Sequence, residues 1–184
     1  WETRQHPRLH QAFAQIWGTE KLRVSVDRTN MNPPSGTQWD QEGTIHWDMD
    51  STVKPVPFKV QGVLCLSDTA ADQGGFCCVP GFHRTLEEWS QNQPPDRPPT
   101  TPDTTGMDIR HIAAKAGDLI IWHSALPHGN SRNRTQQPRL CQYITMSPAP
   151  GQVSDTVPLA RTRRAVLADA LGVPEGLVEK WLRD

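Results

Sequence analysis

The order of apolar and polar positions divides the chain into a helical opening, a long run of strands and turns, and a helical tail. In residues 7–17, Leu9, Phe13, Ile16 and Trp17 share one helical stripe, and Gly18 supplies a stop. From 21 to 148 the period shortens towards two. Strands are predicted at 22–26, 43–50, 58–67, 76–79, 107–112, 119–123 and 139–146, with turns at 32–36, 80–81 and 115–118. Residues 43–50 alternate most cleanly: Ile45, Trp47 and Met49 face one way, His46, Asp48 and Asp50 the other. Helical spacing returns over 159–182.

The segment 92–105 holds five prolines and no apolar face, so it reads as a lid, a surface loop or a disordered insertion. Many short strands flanked by helices predict a mostly β domain, a sandwich or barrel, rather than alternating β and α units. The length of 184 residues suits a single domain. Because the chain starts inside organised sequence, part of an N-terminal region is expected to be missing.

Composition narrows the function by exclusion. A formal net charge of -1 gives no nucleic-acid-binding surface. The cluster Arg161, Arg163 and Arg164 reads as solvated helix surface. No apolar run reaches membrane-spanning length, so no membrane partner is expected. Cys65, Cys77, Cys78 and Cys141 lack metal-binding spacing and sit in apolar runs, which favours buried thiols and an intracellular, cytoplasmic setting.

The chemistry begins at His46-Trp47-Asp48. Two residues apart on a strand, an imidazole and a carboxylate point to one side and can converge on an ion. A third ligand must come from far along the chain. His128 suits this role, since Gly129 beside it permits close backbone approach; His123, at the end of an apolar run, is the rival and reads better as a pocket or core histidine. Two histidines and one carboxylate form the facial set that suits iron(II) and leaves coordination positions open. A guanidinium is the natural partner for a carboxylate co-substrate in such a site. Arg139 opens the last strand, eleven residues after His128, with Arg132 and Arg134 as rivals and Thr135 as an auxiliary hydroxyl donor.

The runs HWD (46–48), GGFCCVPGFH (74–83) and GDLIIWHSALPHGNSRNRT (117–135), with Arg139 after them, resemble the phytanoyl-CoA dioxygenase family. The resemblance covers roughly residues 20–148. It implies a double-stranded β-helix, the cupin-like jelly roll, with flanking helices. It also implies iron(II) on His46, Asp48 and His128, and 2-oxoglutarate as co-substrate with its far carboxylate on Arg139. The implied reaction uses O2 to hydroxylate a small organic substrate, releasing succinate and CO2. Aspartate at 48 disfavours halogenation, which needs that position for halide.

Three positions depart from the family pattern: Phe82 stands where serine is usual, Asn32 where a lysine precedes proline, and Leu64 where tryptophan sometimes occurs. Arg28, Asn30 and Gln61 are therefore the candidates, by position, for further co-substrate contacts. Two other classes compete: a cupin-like metalloenzyme that uses no 2-oxoglutarate, and a non-catalytic β-sandwich binding module.

Overall fold

The computed structural model describes residues 1–40 and 42–151, so the expected helical segment at 159–182 and the arginines at 161, 163 and 164 lie outside the described residues. The chain divides into two compact units. One comprises Trp1–Ser25 with the chain from Met146 onward, and the other is Val26–Thr145.

In the first unit, α1 spans Pro7–Trp17 as the spacing predicts. The His6 ring caps its start by accepting from Arg8 N, and Gly18 ends it in the left-handed region at φ 66°. Leu9 and Phe13 are its buried stripe. Strand β1 (Leu22–Val24) pairs antiparallel with β9 (Met146–Pro148), and the Trp17 indole donates to the Met146 carbonyl at 2.8 Å.

The second unit holds two sheets. The first has the order β2-β8-β3-β6, from Thr29–Asn32, Arg139–Tyr143, Val60–Cys65 and Leu119–His123. The second has the order β5-β4-β7, from Arg110–His111, Phe76–Cys78 and His128–Asn130. All these pairs are antiparallel.

Register decides which side chains share a face. Val63 lies opposite Tyr143 and Ile120, Cys65 opposite Cys141, Asn32 opposite Arg139, and Gln61 opposite Trp122. One face of the first sheet therefore carries Asn30, Asn32, Gln61, Trp122, Arg139, Cys141 and Tyr143. On the second sheet Cys78 lies opposite His128 and Phe76 opposite Asn130. Val63, Trp122 and Cys141 from one sheet and Phe76 and Cys78 from the other form a single buried cluster, so the two faces pack together. The architecture is β-rich with flanking helices, like the cupin-type fold, and the described residues form separate sheets.

Several boundaries differ from the sequence expectation. The 58–67 and 107–112 segments shorten to β3 and β5, and 139–146 splits into β8 and β9. A short helix, α2 (Leu86–Gln91), was not expected. The largest correction concerns 43–50. It forms no strand; its only ladder contact is a bridge between His46 and His128.

The proline-rich loop explains this. The amides of Trp47 and Ser51 donate to the carbonyls of Thr100 and Pro99 at 2.8 and 3.0 Å. Pro98 and Pro99 have no N–H to return, which limits the pairing this loop can offer. The same bonds place the loop 92–105 along the segment that carries His46 and Asp48. No helix among the described residues is long and apolar enough to cross a membrane.

Candidate metal centre

His46 and His128 reach the same place because two stretches of backbone approach unusually closely. Their amides and carbonyls exchange hydrogen bonds of 2.8 and 3.0 Å. A Cβ on Gly129 would sit 1.9 Å from the Thr44 carbonyl oxygen, and one on Gly43 would sit 2.2 Å from that of Asn130. Two facing glycines thus make the approach possible.

The ligand atoms of His46, Asp48 and His128 all lie within 4.8 Å of one another, close enough to hold one metal ion. Asp48 Oδ1 is 3.4 Å from His46 Nε2, and Asp48 Oδ2 is 3.5 Å from His128 Nε2. The other nitrogen of each ring faces a backbone carbonyl, His128 Nδ1 that of Leu126 at 2.9 Å and His46 Nδ1 that of Thr44 at 3.5 Å. With Nδ1–H donating there, Nε2 either offers its lone pair to a metal ion or, on the protonated ring, hydrogen-bonds Asp48. Gln61 Nε2 donates to Asp48 Oδ2 at 2.6 Å. The bond to His128, and next that to His46, holds the Asp48 carboxyl far below the usual carboxylate range. The bond to Asp48 raises the His46 pKa above the ordinary imidazole value, against the effect of burial. Trp47 turns the other way, is 2 % exposed, and donates its indole N–H to the Ala125 carbonyl.

A cavity of about 170 Å³ adjoins His46, Asp48 and His128 and is also lined by Arg28, Gln61, Trp122, Asn130, Arg139 and Tyr143. Arg139 is 1 % exposed. Its Nη1 donates to the amide oxygens of Asn130 at 3.2 Å and Asn30 at 3.4 Å, while its Nε has no hydrogen-bond partner. Among the described residues no carboxylate pairs with it. A buried guanidinium without a counter-charge is costly, and an anion in the cavity would remove that cost. The buried unpaired atoms Gln61 Oε1 and Trp122 Nε1 belong to the same lining, so much of the unsatisfied polar capacity of this unit collects around one cavity.

The other sequence candidates are placed as follows. Arg28 lines the cavity, with its guanidinium 5.0 Å from the centre of the Tyr143 ring. Gln61 engages Asp48 directly. Thr135 is not among the lining residues: its hydroxyl donates to Asn133 Oδ1 at 2.9 Å and serves the local turn. Arg132, a rival for the anion role, pairs instead with Asp40 and Glu42. His123 accepts from the Ala125 amide and stacks near His83, apart from the three ligands. Phe82, in the usual serine position, is buried with Trp47 and Leu86.

Sequence reasoning missed Asn130 and Tyr143. The signal was available: Asn130 is two residues after His128 and Tyr143 four after Arg139, so each shares its neighbour's face.

A family model described as phytanoyl-CoA dioxygenase (PhyH) matches residues 1–141. A Dictyostelium discoideum protein named for the phytanoyl-CoA dioxygenases is 22 % identical over 183 aligned residues, covering 79 % of this chain and 52 % of its own length. The chain spans about half the length of the curated relatives it matches. Among solved structures, the epimerase SnoN in complex with Fe3+, alpha ketoglutarate and nogalamycin RO superposes with a TM-score of 0.59 at 19 % identity, covering 85 % of this chain and 67 % of that one. HygX from Streptomyces hygroscopicus, with nickel and 2-oxoglutarate bound, gives a TM-score of 0.57 at 17 % identity, with coverage of 81 % and 65 %. At these identities the superpositions establish the fold.

Proposed function

The chain belongs to the phytanoyl-CoA dioxygenase family, and from that premise we propose that it is an iron(II)- and 2-oxoglutarate-dependent oxygenase acting on a small organic substrate. The carrying observation is Arg139, buried without an anionic partner in the cavity that also holds His46, Asp48 and His128. Two neutral imidazoles and one carboxylate suit iron(II) and leave coordination positions for a chelating 2-oxo acid and for O2. When bound, the iron supplies the oxidising chemistry.

The residues of this chain bind and orient. His46, Asp48 and His128 hold the metal on one side. Arg139, kept in place by Asn30 and Asn130, receives the far carboxylate of 2-oxoglutarate as a paired hydrogen-bond fork. Arg28 sits on the cavity wall beside Asp27, 3.8 Å away, and Gln61 donates to the Asp48 carboxylate. No side chain is required as a general base. The overall reaction converts 2-oxoglutarate, O2 and a substrate C–H bond into succinate, CO2 and a C–OH group.

Anaerobic titration of the metal-free protein tests this reading. Iron(II) followed by 2-oxoglutarate should produce the weak visible charge-transfer band of the chelate, and Arg139→Ala should need far more 2-oxoglutarate to reach it. Iron binding with no band at any 2-oxoglutarate concentration would overturn the co-substrate assignment and leave a cupin-like metal centre of another class. Failure to bind iron would overturn the metal site and leave a binding module. Since one structural neighbour is described as an epimerase, product mass is the readout for hydroxylation: one added oxygen atom, with succinate formed in equal amount.

A further inference from the structure

The segment that carries two of the three metal ligands is held from behind by one arginine. Arg97, in the proline-rich loop, donates through Nη1 to Ser51 Oγ at 2.7 Å and through Nη2 to the Ser51 carbonyl at 3.2 Å. Its guanidinium lies 5.0 Å from the Trp89 ring centre and 5.9 Å from that of Trp47. Ser51 is 1 % exposed, and both its amide and its hydroxyl donate to the Pro99 carbonyl. Trp47 donates its amide to Thr100 and its indole to Ala125. Asp48 therefore sits between two pinned residues, Trp47 before it and Ser51 after it, and Arg97 contacts both.

This arrangement replaces what a strand would do. In a ladder, regular pairing on both sides would fix the direction of each side chain. Here the pairing is one bridge to His128 on one side and a few carbonyls of a proline loop on the other. Asp48 itself is half exposed, so burial does not hold its carboxylate in place; Gln61 steadies the carboxylate, while its backbone depends on the residues on either side. The fork of Arg97, with its two bonds to Ser51 and its stacking on Trp89, is the contact that locks the proline loop to the ligand segment. Lysine cannot reproduce it, because a single ammonium lacks the planar pair of donors.

We infer that Arg97 is a positioning residue for the metal: acting through Ser51 and Trp47, it sets the direction in which Asp48 meets the ion. The inference rests on the metal site of the proposed function, and its test must separate the two. Cobalt(II) is the probe, because its visible d–d bands report coordination geometry without any turnover. The unmodified protein, Arg97→Ala, Arg97→Lys and Ser51→Ala are titrated with cobalt(II), and the melting of each metal-free protein is recorded.

The expected result is a loss of cobalt affinity on the order of 10- to 100-fold in Arg97→Ala, the range typical when a group supporting a ligand is removed. Altered d–d bands should accompany it, with smaller losses of the same kind in Arg97→Lys and Ser51→Ala. If Arg97→Ala does not fold, Arg97→Lys decides: weakened cobalt binding with unchanged melting of the metal-free form supports the role. Parent-like affinity and parent-like bands in folded Arg97 variants overturn it while leaving the metal site intact. Absence of cobalt binding in the unmodified protein overturns the metal site itself, and this inference falls with it.

Discussion

Gly129 and Gly43 let the two stretches of backbone that carry His46 and His128 approach each other. Each faces the backbone of the opposite segment at a distance where a methyl group cannot fit. Neither is needed for a left-handed turn, since neither is among the positive-φ glycines of the described residues. Their role is the close approach that brings His46 N to the His128 carbonyl and His128 N to the His46 carbonyl. Gly129→Ala should therefore push these two segments apart. The cost from overpacking alone is about 1–3 kcal/mol, and the displacement separates two ligands at once. Circular dichroism should show a folded protein with a lowered melting temperature, and iron(II) binding should be lost. Retained iron affinity in Gly129→Ala would mean that the two histidines do not need this backbone contact to converge. The His-Gly step was visible in the sequence as a place for close approach. Its partner Gly43 was not, because nothing local marks which backbone a distant glycine will face.

At the scale of elements, the strands bury all four thiols. Cys65 lies on β3, Cys77 and Cys78 on β4, and Cys141 on β8, and all four are free and buried. Burial raises each thiol above its ordinary value, pushing Cys77 up to about 11, with the neighbouring Cys78 adding to the shift. The thiolate is the reactive form, and a raised pKa shrinks its share at any pH below that value. Iodoacetamide at mildly alkaline pH should modify none of the four in the folded protein and all four once urea unfolds it. Rapid labelling of any one in the native state, located by mass spectrometry, would show that its strand opens or is misplaced.

These strands were legible because apolar runs bounded by glycine and proline carry their own signal. The segment 43–50 misled for an instructive reason. Its alternation correctly separated His46 and Asp48 from Trp47, but alternation reports facing, not pairing. A strand also needs a neighbour with free N–H and C=O groups, and the neighbour here is proline-rich. The loop 92–105 is the converse case. It has no apolar face to bury, yet its carbonyls and Arg97 give it polar contacts that composition does not reveal.

Taken as a whole, the cavity is built entirely from the unit Val26–Thr145, with the metal ligands, Arg139 and the unpaired polar atoms all inside it. Ligand binding should therefore be coupled to the folding of that unit, because a site assembled from residues 28, 46, 48, 128 and 139 does not exist in the unfolded chain. A ligand present at a hundred times its dissociation constant adds about 2.7 kcal/mol. For a chain of this size that corresponds to a rise in melting temperature of roughly 5–10 °C. Iron(II) should give one such rise, and 2-oxoglutarate added under anaerobic conditions a second. The variants divide the two increments. Asp48→Ala should lose both, since the co-substrate depends on the metal for one of its ends. Arg139→Ala should keep the first and lose most of the second, because its other end has no anchor. A second increment of full size in Arg139→Ala would place the anion elsewhere in the cavity, with Arg28 as the next cation on its wall.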